Sequence, residues 1–95
     1  MPLFAFRCLD KPGSLDLRVA TREAHLAYLG GFADALKLAG PLLGEDDKPI
    51  GSALFVELED RAAAEAFAAN DPYAQAGLFA SVDITGFRPA LGKLG

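Results

Sequence analysis

Four prolines constrain this chain more firmly than any other feature. Asp10-Lys11-Pro12-Gly13, Gly40-Pro41, Lys48-Pro49 and Asn70-Asp71-Pro72 are points that neither a helix nor a central strand crosses unbroken. Before the first break, Leu3-Phe4-Ala5-Phe6-Arg7-Cys8-Leu9 is aromatic and aliphatic and predicts a strand. After it, Ser14 is placed to cap a long helix. Leu15, Val19, Leu26, Leu29, Phe32, Ala33 and Leu36 recur at helical steps, so the helix is expected to reach about Ala39 and to end at Gly40-Pro41.

Pro41-Leu42-Leu43-Gly44 leaves room for a brief strand only, followed by the charged connecting loop Glu45-Asp46-Asp47-Lys48-Pro49. Ser52 to Leu58 predicts a third strand, and Asp60 is positioned to cap the alanine-rich helix Arg61 to Ala69. Asp71 then caps a short turn from Pro72 to Ala76, closed by Gly77. Leu78 to Phe87 supplies the last strand, with Ala80, Val82 and Ile84 on one face and Phe79, Ser81, Asp83 and Thr85 on the other. Arg88 to Gly95 carries no clear element.

The order strand, helix, strand, strand, helix, strand predicts an α+β fold of the ferredoxin-like βαββαβ kind, one domain over residues 1–95 with a four-stranded antiparallel sheet. A chain of 95 residues buries only about 60–65% of the surface its unfolded form exposes. Helices on one sheet face leave the other, a mixture of apolar and polar side chains, in need of cover. A homodimer formed through that open face is the expected solution.

A formal charge of −4 and the absence of any Lys/Arg run argue against nucleic acid as a partner. No apolar stretch approaches the roughly 18 residues of a membrane span, and the first residues show no signal-peptide pattern, so neither a membrane partner nor export is expected. A cytoplasmic location follows as an expectation. Cys8 stands alone inside an apolar run and reads as a small buried hydrophobe. With one His and one Cys, a dedicated metal site is not expected, and no motif calls for a cofactor.

The only histidine, His25, lies mid-helix beside Thr21, Arg22, Tyr28 and Leu29, at the edge of the apolar stripe. There an imidazole either sits half in a pocket, suited to proton transfer near neutral pH, or is an ordinary boundary residue. Asp71 either only caps its helix or also orients a histidine. Arg22 either binds an anionic group or pairs with Glu23, Asp16 or Asp71. Ser52, after Gly51, either meets a ligand or is loop punctuation, and Tyr73 either points its hydroxyl into a pocket or packs.

Taken together, Arg22-Glu23-Ala24-His25-Leu26, Ala39-Gly40-Pro41, Gly51-Ser52 and Asp71-Pro72-Tyr73-Ala74-Gln75-Ala76-Gly77-Leu78 resemble the YciI-like family over nearly the whole chain. The resemblance implies a ferredoxin-like domain paired into a dimeric α+β barrel, related in architecture to muconolactone isomerases. It also implies a His25 and Asp71 dyad, with Arg22, Ser52 and Tyr73 lining the pocket, and it points to a site more firmly than to a reaction. The loop from Glu45 to Ile50 is short by the family's pattern, which bears on pocket access. The expected activity is general acid-base chemistry, isomerisation or elimination, on a small anionic lactone- or muconate-like molecule. The alternative is a non-catalytic ligand-binding or accessory module.

Overall fold

A computed structural model of the chain describes residues 1–93. Its strands are β1 (Leu3–Asp10), β2 (Leu36–Leu43), β3 (Pro49–Glu57) and β4 (Phe79–Phe87), and its helices are α1 (Leu15–Gly30), α2 (Arg61–Asn70) and the single turn α3 (Pro72–Gln75). All neighbours pair antiparallel in the order β2-β3-β1-β4, which is the ferredoxin-like α+β arrangement expected. Arg88–Lys93 lie outside helices and strands, and the rest of the tail lies outside the described residues. Among the described residues, no helix is long and apolar enough to cross a membrane.

Two differences from the sequence expectation have clear causes. Helix α1 stops at Gly30, nine residues short of Ala39, because Gly30-Gly31 is a poor helical segment and Ala33 takes φ 49°. The freed stretch from Leu36 instead pairs with β3, so β2 begins five residues before Pro41. Pro41 is tolerated there because β2 is an edge strand. On β4, Ala80 is an extra residue where the register shifts between Leu9 and Asp10. That bulge turns Phe79 away from the face shared by Ser81 and Asp83 and packs it against the core.

Alternation along the central strands decides what the helices cover. Phe4, Phe6 and Cys8 of β1 and Leu54 and Val56 of β3 form one core with Leu29 of α1 and Ala64 and Phe67 of α2. Phe67 touches the rings of Phe6, Tyr28 and Phe32 at centroid distances of 5.2, 5.5 and 4.7 Å. Truncating a side chain so placed costs about 3–5 kcal/mol. Among the described residues, no helix lies on the opposite sheet face. Phe55 and Phe87 pack edge-on there at 5.1 Å, beside Leu38, with Leu38 and Phe87 exposed.

Two caps bear on the site. Asp60 accepts the Ala63 N–H at 2.8 Å, and Asp71 accepts the Tyr73 N–H at 2.9 Å with Pro72 in the first helical position. Gly77, at φ +77°, closes α3 and lets the chain turn into β4. Ser14 occupies the cap position of α1, but its hydroxyl does not cap. Only its carbonyl engages the helix, accepting the Arg18 N–H at 3.0 Å.

Candidate functional site

Helix α1 buries the wrong residues for a merely structural helix. Its buried side chains are Arg18, His25 and Leu29, whereas Val19 and Leu26, assigned to the apolar stripe on spacing, are exposed. Arg18 and His25 are two helical turns apart and therefore share a face. Arg18 reaches Asp10 and Ser52 on the sheet, and His25 reaches Asp71 and Tyr73 at the start of α3. Buried polar groups opposite exposed apolar ones are the informative departure from ordinary burial.

His25 Nδ1 lies 2.8 Å from Asp71 Oδ1, with both side chains under a tenth exposed. The same carboxylate oxygen accepts the Tyr73 backbone N–H at 2.9 Å. A carboxylate oxygen only accepts, so in this contact Nδ1 carries the hydrogen and donates it. The His25 ring stacks on Tyr73 at 4.0 Å between centroids and 19° between planes. Among the described residues Nε2 has no protein partner and no buried side-chain nitrogen lacks one, so Nε2 meets solvent.

That nitrogen belongs to a cleft of about 450 Å³ between α1, the β2–β3 pair and α3. Arg18, Arg22, His25, Ser52 and Tyr73 supply its polar lining, and Val19, Leu26, Pro41 and Pro49 its apolar walls. A mostly apolar concavity with a few convergent polar groups is the usual form of a small-molecule site. A larger depression of about 680 Å³ lies along the open sheet face beside Leu3, Lys37, Glu57 and Phe87. It contains no buried titratable group, so the smaller cleft is the candidate.

The expected site residues come together, each in a definite place. Asp71 stands behind His25, 3% exposed, and does not line the cleft. Arg22 is exposed at the rim and forms no ion pair among the described residues, so the pairings with Glu23, Asp16 or Asp71 do not occur. Ser52 is buried on β3 opposite Cys8, and Tyr73 is buried at 1%. At Gly51 a Cβ would collide with the Cys8 carbonyl oxygen, so the close approach of β1 and β3 beside Ser52 requires glycine.

Sequence reasoning missed Arg18 and Asp10. Arg18 Nε donates to Asp10 Oδ2 at 2.7 Å, and Nη2 donates to Asp10 Oδ1 at 3.0 Å and to Ser52 Oγ at 2.8 Å. Its guanidinium also lies 4.6 Å from the Tyr73 ring centroid. The available signal was spacing: Arg18 precedes His25 by two turns, on the face the histidine occupies.

Burial works against the Arg18 cation, but the hydrogen bonds and charge of Asp10 outweigh it and hold the guanidinium above its ordinary value. Burial pushes the Tyr73 phenol up, against the opposing pull of Arg18 and Arg22. The Cys8 thiol beneath the site is pushed from 9.0 up to about 12, first by burial and then by the Asp71 charge. A thiol so placed is no nucleophile at neutral pH. Among the described residues, no group of three or more His, Cys, Asp or Glu converges to hold a metal ion.

The chain is similar to known proteins over most of its length. The YCII-related domain family matches residues 2–88. Protein YciI of Escherichia coli O6:H1 is 36% identical over 94 residues, covering 90% of this chain and 96% of that one. Among solved structures, a 5-chloro-2-hydroxyhydroquinone dehydrochlorinase from Burkholderia phenoliruptrix AC1100, in complex with 2,5-dihydroxybenzoquinone, superposes with a TM-score of 0.87. It is 35% identical, covering 93% of this chain and 95% of that one. An antibiotic biosynthesis monooxygenase, at TM-score 0.59 and 12% identity over 96% of this chain and 100% of that one, shares the fold alone.

Proposed function

The chain belongs to the YCII-related family, and from that premise we propose that it is a small-molecule enzyme in which His25 moves a proton. One observation carries the reading: a histidine whose Nδ1 is held by a buried aspartate while Nε2 opens into a cleft. Asp71 fixes the tautomer and stabilises the imidazolium that forms when Nε2 takes a proton. Arg22, exposed at the rim, holds an anionic group of the substrate, and Ser52 and Tyr73 shape the interior. General acid-base catalysis of this kind supplies on the order of 10²- to 10⁴-fold.

A related structure supports the elimination branch of the chemistry expected from the sequence. The dehydrochlorinase at 35% identity acts on a chlorinated hydroxyhydroquinone, and removing HCl requires a base to take the proton. Hydroxylated rings therefore rank above lactones and muconates as substrates here. The reading includes a cytoplasmic homodimer joined through the open sheet face, where Phe87 and Leu38 lie exposed beside half-buried Phe55. Sedimentation of the wild-type protein and Phe87→Asp tests the dimer: the wild type should run as a dimer and the variant as a monomer.

A thermal-melt screen of wild type and His25→Ala against small carboxylates, lactones and hydroxylated quinones tests the site, since a ligand that binds the native state raises the melting point. Stabilisation of the wild type followed by turnover that His25→Ala abolishes is the expected result. Equal turnover by the two proteins would refute the assignment. A stabilising ligand recovered unchanged after long incubation would favour the binding-module alternative.

A further inference from the structure

The reading of His25 as the base gives the β3 wall of the cleft no part in the chemistry beyond its shape. There Ser52 Oγ accepts from Arg18 Nη2 at 2.8 Å, and both hydrogens of that nitrogen are committed, one to Ser52 and one to Asp10 Oδ1 at 3.0 Å. A hydroxyl oxygen that accepts from a cation still has its own hydrogen to give. Ser52 donates to no protein acceptor among the described residues, and it lines the cleft. The group facing a ligand is thus an O–H polarised by a guanidinium.

Its placement is firmly built. Asp10 at the end of β1 grips Arg18 through two bonds, and the side chains of both are 6% exposed. Gly51 lets β3 press against the Cys8 carbonyl, fixing Ser52 in register. A buried ion pair rarely adds stability over apolar residues of the same volume. Here it delivers a donor to a cleft whose other wall carries a base, which is the pairing that stabilises charge developing on a substrate oxygen.

We infer that Ser52 is the oxyanion donor of the cleft, that Arg18 and Asp10 are its positioning residues, and that the ligand class is a single-ring ketone or enol whose oxygen gains negative charge as a neighbouring proton leaves. In the step, His25 Nε2 takes a proton from the carbon beside the carbonyl. The C–H electron pair becomes a C=C bond, the carbonyl π pair moves to oxygen, and that oxygen accepts the Ser52 O–H. In a ring ketone that also carries a β,γ double bond, the oxygen pair then re-forms the carbonyl, the new C=C shifts into conjugation and the γ carbon takes the proton back from the imidazolium, completing an isomerisation with no further reactant. The inference rests on the proposed role of His25 but fails separately from it.

Absorbance titration with 2,5-dihydroxybenzoquinone, an acidic ring enol, tests it. The wild type should bind with a displaced absorption band. Ser52→Ala should bind about ten- to a hundred-fold more weakly, the range for a lost hydrogen bond to a charged group, and lose the displacement. Ser52→Thr should keep both. Asp10→Asn, which retains the shape but not the charge, should show a smaller displacement. Equal affinity in wild type and Ser52→Ala, or no binding by the wild type, overturns the inference. Deuterium exchange into cyclohexane-1,2-dione reads the base on its own: if exchange survives His25→Asn while Ser52→Ala still loses binding, the base assignment falls and the oxyanion donor stands.

Discussion

Asp71 does two jobs with one oxygen, and separating them gives a quantitative test. Oδ1 accepts the Tyr73 N–H at 2.9 Å as the cap of α3 and faces His25 Nδ1 at 2.8 Å. Asp71→Ala removes the cap, at a cost of about 1 kcal/mol. It also leaves a buried N–H without an acceptor, at about 1–3 kcal/mol. The expected total of about 2–4 kcal/mol lowers the melting temperature by roughly 10–25 °C in a domain of this size. Asp71→Asn keeps an oxygen that can cap but removes the charge that holds the imidazolium, so it should lose less than half as much stability while turnover falls at least as far as in Asp71→Ala. His25→Ala leaves the cap intact. A double-mutant cycle between His25→Ala and Asp71→Ala should therefore show a coupling of about 1–3 kcal/mol by denaturant melts. Additive losses would refute the pairing, and equal destabilisation by Asp71→Asn and Asp71→Ala would refute the division of roles.

Asp10→Ala strands the Arg18 cation and should cost about 3–5 kcal/mol, whereas replacing both residues with apolar ones should recover much of that loss in the same chemical-denaturation series. Burial pushes the Cys8 thiol up to about 12 from an ordinary value of 9.0, so its contribution is complete below pH 9 and is lost as pH rises toward 12. Wild type should lose stability over pH 9–11 more steeply than Cys8→Ala, and the native thiol should resist iodoacetamide at pH 8. Gly51→Ala must push β3 off the Cys8 carbonyl, and a loss of about 1–3 kcal/mol in thermal melts is expected, with weakened ligand binding because Ser52 moves with it.

Much of the fold was legible from punctuation, because caps and breaks are local. Asp60, Asp71, Pro72 and Gly77 act where the chain alone says they act. The end of α1 was not legible, since Leu26, Leu29, Phe32 and Leu36 keep helical spacing across Gly30-Gly31. Pairing of β2 with β3, a long-range event, decides that Leu36 is strand. Phe79 was misplaced for a similar reason: a bulge has no local signature there.

The site divides in the same way. His25 stood out as the only histidine, but the 46 residues separating it from Asp71 carry no information about contact until the fold brings them to 2.8 Å. Arg18 read as one more charged helical residue because its partners, Asp10 on β1 and Ser52 on β3, are supplied by other elements. The exposure of Val19 and Leu26 is the reverse of that error. A helix that turns cationic and imidazole groups inward at a cleft cannot also follow the hydrophobic pattern there.

The central claim is that His25 presents an unprotonated Nε2 to the cleft while Nδ1–H is held by Asp71. Nitrogen-15 NMR of the labelled imidazole reads this directly. For the neutral ring, an Nδ1-protonated tautomer is expected, with an Nε2 resonance that moves when 2,5-dihydroxybenzoquinone is added. An Nε2-protonated tautomer, or an Nε2 resonance indifferent to the ligand while it binds, would contradict it.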